Sequence, residues 1–310
     1  MPHEVMQVSP LPPAMLKQMQ EEDFVLHDHA HLLDPHALAK VRALVGLAGG
    51  SKVDAKLLKM LPQVQMLALI GQSLDGIELD ALRARGIQIT LTPAQSSDDE
   101  ADWVMALMLA LGRRVVQADR FVRNNDWVEE AFARTPRFSG KRLGLLGLGG
   151  LGQAVARRAE AFGMTVAYWD VRPQADMRHR FVPSPVALAT DVDYLVVALP
   201  ARTLDAPVVT AEVLRALGPT GYFVNTRHAS LVEESVLVAA LQSKQIAGAA
   251  LDVFWEAPRV PAALRAMPQV VLSPHTARAT HEDLTEGVAL AMQSLRAFFE
   301  GRPLPHLVSG

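Results

Sequence analysis

Three glycines at a fixed spacing, Gly147, Gly149 and Gly152, carry the clearest chemical signal in the sequence. A strand-like apolar run leads into them, and a helical pattern follows. In such a turn the first glycine permits a tight bend, the second lets the backbone approach a pyrophosphate, and the third lets the helix pack closely. The pyrophosphate lies at a helix N-terminus, where free N–H groups favour negative charge. The spacing predicts a dinucleotide-binding turn, with Gly150 and Leu151 as further contacts.

Asp170 indicates which dinucleotide the turn would hold. It follows a β-rich run over residues 165–169 and stands eighteen residues after Gly152. A carboxylate at this distance can accept hydrogen bonds from the adenosine ribose hydroxyls, and it repels a 2′-phosphate. We therefore predict NAD as the cofactor. NADP stays open as the alternative, because Arg172 lies two residues further on and could tolerate the extra phosphate.

A histidine further along the chain could carry the chemical step. His275 comes after a strand predicted over residues 270–272 and after Pro274, which places it in a loop rather than in a core. An imidazole in such a loop can pass a proton near neutral pH. A single histidine is more often structural, so its position alone leaves both interpretations open.

Strand and helix patterns alternate before the glycine turn. They predict strands over residues 23–26, 66–70 and 88–91 and helices over residues 35–47 and 79–84. This alternation is typical of a small parallel α/β domain.

The alternation continues after the glycine turn. Acidic residues open a long helix over residues 101–116, and strands follow over residues 194–199, 222–225, 247–253 and 270–272. The last helix, over residues 282–300, is expected to return to the first domain. We predict one domain from residues 1–98 and 283–310 and a dinucleotide-binding domain from residues 99–282.

Composition narrows the class of protein. The chain has 310 residues, enough for two domains, and half of them are hydrophobic. A net charge of −3 gives no basic footprint for nucleic acid. There is no cysteine, which excludes disulfides and fits a reducing cytosol. Apolar runs are too short to span a bilayer, and the N-terminus lacks a secretory pattern. We expect a cytoplasmic protein that binds neither nucleic acid nor membrane.

Four histidines fall close together near the N-terminus. On a strand, alternate histidines share a face and could bind a metal ion. Asp28, Asp34 and Pro35 indicate a solvated loop instead, so we predict no metal site. The histidines are His27, His29, His31 and His36.

Several segments, in this order along the chain, resemble the D-isomer-specific 2-hydroxyacid dehydrogenases. The nearest branch resembles the hydroxypyruvate, glyoxylate and hydroxyphenylpyruvate reductases. The segments are residues 74–77, 92–93, 147–152, 197–200, 224–226, 231–234, 250–254 and 273–275.

The resemblance implies an α/β fold with a Rossmann dinucleotide-binding domain and a smaller flavodoxin-like substrate domain. It implies hydride transfer between NAD(H) and a 2-oxo or 2-hydroxy acid, in a homodimer formed through the NAD domains. In that family an arginine binds the substrate carboxylate, a histidine donates the proton, and a glutamate raises the pKa of that histidine. The matching backbone loop for the carboxylate is Gln72, Ser73 and Leu74, and the matching cofactor contacts include Leu199, Pro200, Thr226 and Asp252.

Two of these three side chains are absent from their expected positions. Aligned without gaps, the arginine position holds His228 and the glutamate position holds Ala257, while His275 is in place. A histidine cannot grip a carboxylate with two parallel bonds as a guanidinium does. His228 could instead form a relay with His275, so we keep both histidines as candidate catalytic residues.

Three nearby side chains could compensate for these losses. Arg227 and Glu256 stand one residue from the altered positions, although a shift of one residue usually turns a side chain elsewhere. Arg278, three residues after His275, could enter the site or face solvent. We take Arg227 and Arg278 as candidate substrate contacts.

Three functions remain compatible with this pattern. The first is an NAD-dependent oxidoreductase of a 2-oxo or 2-hydroxy acid with altered catalytic residues. The second is a dehydrogenase whose substrate lacks the usual carboxylate. The third is an NAD-binding sensor or scaffold with little activity.

Overall fold

The computed structural model describes residues 3–28, 35–93, 97–174, 177–200 and 206–308. Contacts between Cα atoms divide the chain into two compact units. Unit 1 contains residues 1–95 and 280–310, and unit 2 contains residues 96–279.

Unit 1 is built on a five-stranded parallel sheet. Its strands are β1 (His3–Gln7), β2 (Phe24–Asp28), β3 (Ala43–Leu47), β4 (Met66–Ile70) and β5 (Gln88–Leu91), and its helices are α1 (Pro13–Glu21), α2 (Pro35–Leu38), α3 (Ala55–Met60), α4 (Leu79–Ala84) and α12 (His281–Phe299). The strand order is β2-β1-β3-β4-β5, which is the flavodoxin-like order. The predicted class of the smaller domain is confirmed.

The helix predicted over residues 35–47 is wrong. Only Pro35–Leu38 is helical, and Ala43–Leu47 is a strand that pairs with both β1 and β4. Ala43, Leu44 and Val45 are fully buried, because helices cover both faces of a parallel sheet. A short apolar run buried on both faces has no alternation, so periodicity alone does not separate strand from helix.

Unit 2 contains a seven-stranded parallel sheet. Its strands are β6 (Arg142–Leu146), β7 (Thr165–Trp169), β8 (Arg180–Phe181), β9 (Tyr194–Val197), β10 (Tyr222–Asn225), β11 (Gly248–Leu251) and β12 (Val270–Leu272), and its helices are α5 (Asp98–Gly112), α6 (Val115–Arg123), α7 (Gly150–Ala161), α8 (Pro185–Thr190), α9 (Ala211–Leu217), α10 (Glu234–Gln242) and α11 (Ala262–Ala266). The order β12-β11-β10-β9-β6-β7-β8 is the doubly wound Rossmann arrangement with one added strand. The predicted class of this domain is confirmed as well.

The helix predicted over residues 101–116 is divided in the structure. The first part, α5, ends at Gly112, and Arg114 adopts a left-handed backbone with φ of 52° before α6 begins. Gly112 lies against the Tyr194 hydroxyl, where an added Cβ would be only 1.9 Å from the oxygen. The result is two helices where the sequence pattern predicts one.

The N-terminal histidines are only partly described. His29 and His31 lie outside the described residues. His27 belongs to strand β2 rather than to a loop, and its Nε2 lies 2.6 Å from Glu4 Oε2. None of the helices in the described ranges is both long enough and apolar enough to cross a membrane.

Helix α12 completes the core of unit 1. Val288, Met292 and Leu295 pack with Met15 and Met66 in one buried apolar cluster. At its last turn, Arg296 donates from Nε to Glu22 Oε2 over 2.6 Å and also from Nη2 to Oε1. This two-bond ion pair joins α12 to the end of α1.

We predict a pH-dependent contribution from this ion pair. The Arg296 guanidinium that hydrogen-bonds Glu22 holds the pKa of this carboxyl below its ordinary value. The contribution is therefore present above the ordinary pKa of glutamate and disappears as the pH falls through the lowered folded-state pKa. Glu22→Gln should reduce the free energy of unfolding by about 0.5 to 1 kcal/mol near pH 7 and by much less near pH 3. Denaturant titrations at both pH values check this.

Glu21→Gln is the matched control for that measurement. Glu21 is a more exposed neighbour that faces Lys17 Nζ at 3.9 Å. An equal loss for the two variants at both pH values would contradict the assignment to Glu22.

Candidate active site

One edge of the unit 2 sheet collects most of the residues predicted to act on a cofactor. In a parallel sheet the carboxyl ends of all strands lie at the same edge, where ligands bind. The glycine turn follows β6, Asp170 follows β7, Leu199 and Pro200 follow β9, Thr226, Arg227 and His228 follow β10, Asp252 follows β11, and His275 and Arg278 follow β12. Leu199 and Thr226 are buried, whereas Pro200 is exposed.

The geometry of the glycine turn fits the three roles predicted for its glycines. Gly147 has φ of +103°, which favours glycine. A Cβ at Gly152 would lie 2.3 Å from the Gly147 carbonyl oxygen, so helix and turn are in direct backbone contact. A Cβ at Gly149 would meet no atom within 4 Å, although Gly149 immediately precedes α7. The open face of the turn therefore leaves room for a pyrophosphate to approach the backbone.

Asp170 is attached to the glycine turn. Its Oδ2 accepts a hydrogen bond from the Leu148 N–H over 3.1 Å, and its Oδ1 accepts one from the Val171 N–H over 2.8 Å. Gln174 Nε2 donates to Oδ2 over 3.2 Å. A carboxylate has about four acceptor sites, so these bonds fix its orientation and leave capacity for ribose hydroxyls. Arg172 is exposed.

The loop that carries His275 is held by a buried carboxylate. Asp252 is fully buried, and its Oδ1 accepts from the Thr276 N–H over 3.0 Å and from the Ser273 hydroxyl. Its Oδ2 accepts from the Ala277 N–H over 2.9 Å. These bonds hold the backbone that follows His275 and the side chain of Ser273, which precedes it. The sequence identified Asp252 only as a cofactor contact, which stays a prediction.

His275 itself has an unusual backbone. Its φ is +57°, in the left-handed region that residues other than glycine rarely adopt. Its side chain is exposed. Such a conformation persists only where the surrounding contacts impose it, and it is common at functional sites. The bonds to Asp252 supply that constraint.

The turn after β10 presents His228 to solvent. Asn225 Nδ2 donates to the His228 carbonyl over 2.9 Å, and Asn225 Oδ1 accepts from the Arg227 N–H over 3.0 Å. The imidazole of His228 is exposed, with Nδ1 2.8 Å from Ser230 Oγ. The position that the resemblance assigns to an arginine therefore presents an exposed imidazole.

Arg227 is engaged with a residue that the sequence analysis did not identify. Its Nη1 donates to Glu100 Oε2 over 2.7 Å, and the Thr226 hydroxyl donates to Glu100 Oε1 over 3.3 Å. Glu100 is only 5 % exposed. The sequence showed Glu100 only as one of several acids at the start of a helix, so it gave no signal for this contact.

The position that the resemblance assigns to a glutamate lies in an exposed turn. Ala257 and Glu256 are both exposed, and the Arg259 N–H donates to the Glu256 carbonyl over 2.8 Å. Trp255 turns inward, and its indole N–H donates to the Val232 carbonyl over 2.9 Å. A cavity of about 720 Å³ adjoins Trp255. It is lined by residues 230–235 among others, and the predicted site residues do not line it.

The predicted carboxylate loop lies in unit 1. Gln72, Ser73 and Leu74 follow β4, and the Ser73 hydroxyl accepts from the Asp75 N–H over 3.0 Å. Gly71 begins the loop with φ of +110°, and its N–H donates to Thr92 Oγ1 over 2.7 Å. Arg278 is partly buried and belongs to unit 2.

The sheet order, the glycine turn and Asp170 define the class of NAD(P)-binding Rossmann oxidoreductases. The chain belongs to the D-isomer specific 2-hydroxyacid dehydrogenases, since the model of that family's NAD binding domain matches residues 105–277.

Relatives along the whole chain agree with this membership. A 2-ketogluconate reductase of Gluconobacter oxydans is 35 % identical over 97 % of both chains. A hydroxyphenylpyruvate reductase of Plectranthus scutellarioides is 37 % identical over 85 % of this chain and 84 % of its own. The crystal structure of an NADPH-dependent glyoxylate/hydroxypyruvate reductase from Sinorhizobium meliloti matches with a TM-score of 0.88 and 34 % identity, over 99 % of this chain and 98 % of that one.

We predict that Gly149→Ala weakens NADH binding without destabilising the protein. The backbone at Gly149, with φ of −70° and ψ of −161°, suits alanine, and a Cβ there meets no protein atom. The added methyl group should therefore disturb only the bound pyrophosphate, with an affinity loss of about tenfold or more. NADH fluorescence titration and a thermal melt check the two halves of this prediction.

Gly152→Ala is the comparison variant, because its Cβ would clash with backbone and should lower both the Tm and the affinity. Unchanged NADH affinity in Gly149→Ala would show that the open face of the turn is not the pyrophosphate site.

Proposed function

We propose that the protein transfers hydride between NAD(H) and a small 2-oxo or 2-hydroxy acid, using an altered set of catalytic side chains. The supporting observation is the His275 loop, fixed by the buried Asp252 at the same sheet edge as the glycine turn. This arrangement places His275, which can donate or accept a proton, at the edge of the sheet where the cofactor binds.

Each side chain of the proposed site has a separate role in the reaction. The nicotinamide, when bound, supplies or accepts the hydride. His275 gives a proton to the carbonyl oxygen in reduction and takes it back in oxidation. His228 polarises the carbonyl with a single hydrogen bond where the family pattern has a two-bond guanidinium. The loop of Gln72, Ser73 and Leu74, which the resemblance assigns to the substrate carboxylate, is retained in this proposal.

The proposal includes a preference for NAD over NADP. The Leu148 and Val171 N–H groups fix the orientation of Asp170, and its negative charge repels a 2′-phosphate. The exposed Arg172 can pair with such a phosphate, which keeps NADP as a second cofactor. The cytoplasmic location expected from the sequence is part of this proposal.

One observation favours a second candidate function. His228 replaces the carboxylate-binding arginine, and the neighbouring Arg227 is already paired with Glu100. A site with less fixed positive charge suits a carbonyl substrate that has no carboxylate. NADH oxidation measured with a panel of carbonyl compounds separates this candidate and the NAD-binding sensor from the leading proposal.

We expect purified protein to oxidise NADH with glyoxylate, hydroxypyruvate or an aromatic 2-oxo acid. His275→Ala should lower kcat by about 10²- to 10⁴-fold, because the proton donor is removed. Absorbance at the NADH band, with NADPH run in parallel, measures both the activity and the cofactor preference.

The other outcomes have defined meanings. Turnover restricted to carbonyl compounds without a carboxylate would support the second candidate. No turnover across the panel, with NADH still bound tightly, would replace both enzyme proposals with a sensor. Full activity in His275→Ala would remove His275 from the mechanism.

The proposal also includes a homodimer formed through unit 2. All residues of α6 are at least partly exposed, and large apolar side chains remain accessible on and after it. Contiguous exposed apolar surface often marks a protein interface. The residues are Val115 (53 %), Val122 (56 %), Trp127 (69 %) and Val128 (71 %).

We expect Val122→Glu combined with Trp127→Glu to convert a dimer to a monomer. Both side chains are exposed, so the charges should disturb the interface rather than the fold. Light scattering after gel filtration measures the mass. Met60→Glu, at an exposed apolar residue of unit 1, should leave the mass unchanged. A wild-type protein that is already monomeric would refute this part of the proposal.

A further inference from the structure

A buried acid connects two consecutive residues of the turn after β10. The two carboxylate oxygens of Glu100 accept separate hydrogen bonds, Oε1 from the Thr226 hydroxyl and Oε2 from Arg227 Nη1. Glu100 belongs to the first turn of α5, more than a hundred residues earlier in the chain. Glu100 therefore joins helix α5 to the turn that follows strand β10.

The surroundings of Glu100 account for a charge at this depth. Glu100 is 5 % exposed, and a buried carboxylate is tolerated only when it is paired and hydrogen-bonded. The N-terminal turn of α5 favours a negative charge, and Arg227 supplies the opposite charge at 2.7 Å. Both oxygens of the Glu100 carboxylate therefore have a partner within unit 2.

Arg227 stands one residue before His228, which occupies the position that the resemblance assigns to an arginine. Its backbone N–H is held by Asn225 Oδ1, and its buried Nε has no hydrogen-bond partner among the described residues. The guanidinium is therefore directed into the protein, toward Glu100.

These contacts decide between two roles for Arg227. If Arg227 turned to a substrate carboxylate, Glu100 would remain buried without its partner, and such a loss is strongly destabilising. If the pair stays intact, it fixes Thr226 and the backbone that leads into His228. The second role agrees with every contact around the turn.

We propose that Glu100 and Arg227 act together as positioning residues, fixing the turn that carries Thr226 and His228. Arg227 is committed to this pair and does not replace the missing arginine as a carboxylate ligand. The inference rests on the proposed function for its activity readout, and it deepens that function by identifying what positions the altered side chain.

The test is a double-mutant cycle with Glu100→Gln, Arg227→Ala and the double variant. Both single variants should lower kcat/KM for a 2-oxo acid in the same direction, by up to about 100-fold, since a displacement of about 1 Å can have that effect. The double variant should be no worse than the poorer single variant, because the two residues act as one unit. Arg227→Lys, which keeps the charge, should recover part of the activity lost in Arg227→Ala.

A carboxylate-binding role for Arg227 predicts a different pattern. Arg227→Ala would then raise KM for 2-oxo acids with little change in kcat, and the effect would vanish for a carbonyl substrate without a carboxylate. Glu100→Gln would release Arg227 and leave KM unchanged or lower it. Opposite effects of the two single variants, or strictly additive effects, would overturn the proposal.

The same variants separate this inference from the proposed function. If the wild-type protein reduces no 2-oxo acid, the proposed function fails. The double-mutant cycle then compares the NADH affinity and the Tm of the same variants. Coupled losses in both quantities would still support the pair, and independent losses would overturn it. Arg180→Ala breaks an exposed ion pair with Asp191 in the same unit and should change none of these quantities.

Discussion

The buried carboxylate of Asp252 is the interaction on which the arrangement at the sheet edge depends. It lies at the end of β11 and accepts hydrogen bonds from the loop after β12, so two neighbouring strands are joined where their side chains could meet a ligand. Ser273 extends this network, since its hydroxyl also accepts from the Trp103 indole N–H over 3.3 Å. A left-handed residue such as His275 requires this support on both sides.

The resemblance leads us to expect two charged side chains in the active site. It assigns a cation for the substrate and an anion for the histidine to the positions that His228 and Ala257 occupy. The ion pair of Glu100 with Arg227 includes the residue before His228 and is directed inward. Because the two charges are opposite, the pair adds no net charge to this edge.

The two sheets explain why these residues come from distant parts of the chain. Parallel strands need long crossover connections, so each new strand end adds one short loop to the same edge. In unit 2 the glycine turn, Asp170 and the loops after β9 to β12 reach that edge from separate crossovers. In unit 1 the loops after β3 and β4 are built in the same way, with Gly49 and Gly71 in positive-φ conformations.

Features that depend on local spacing can be predicted from the sequence alone. They include the glycine turn, Asp170 after β7, and strands such as β4, β10 and β12. Each leaves a local pattern in the sequence, either a required backbone conformation or a continuous apolar run. Three other features are visible only in the folded chain: residues 43–47 form a central strand, Asp252 holds the His275 loop, and Arg227 contacts Glu100. These outcomes depend on burial and on partners far apart in the chain, and no local spacing encodes them.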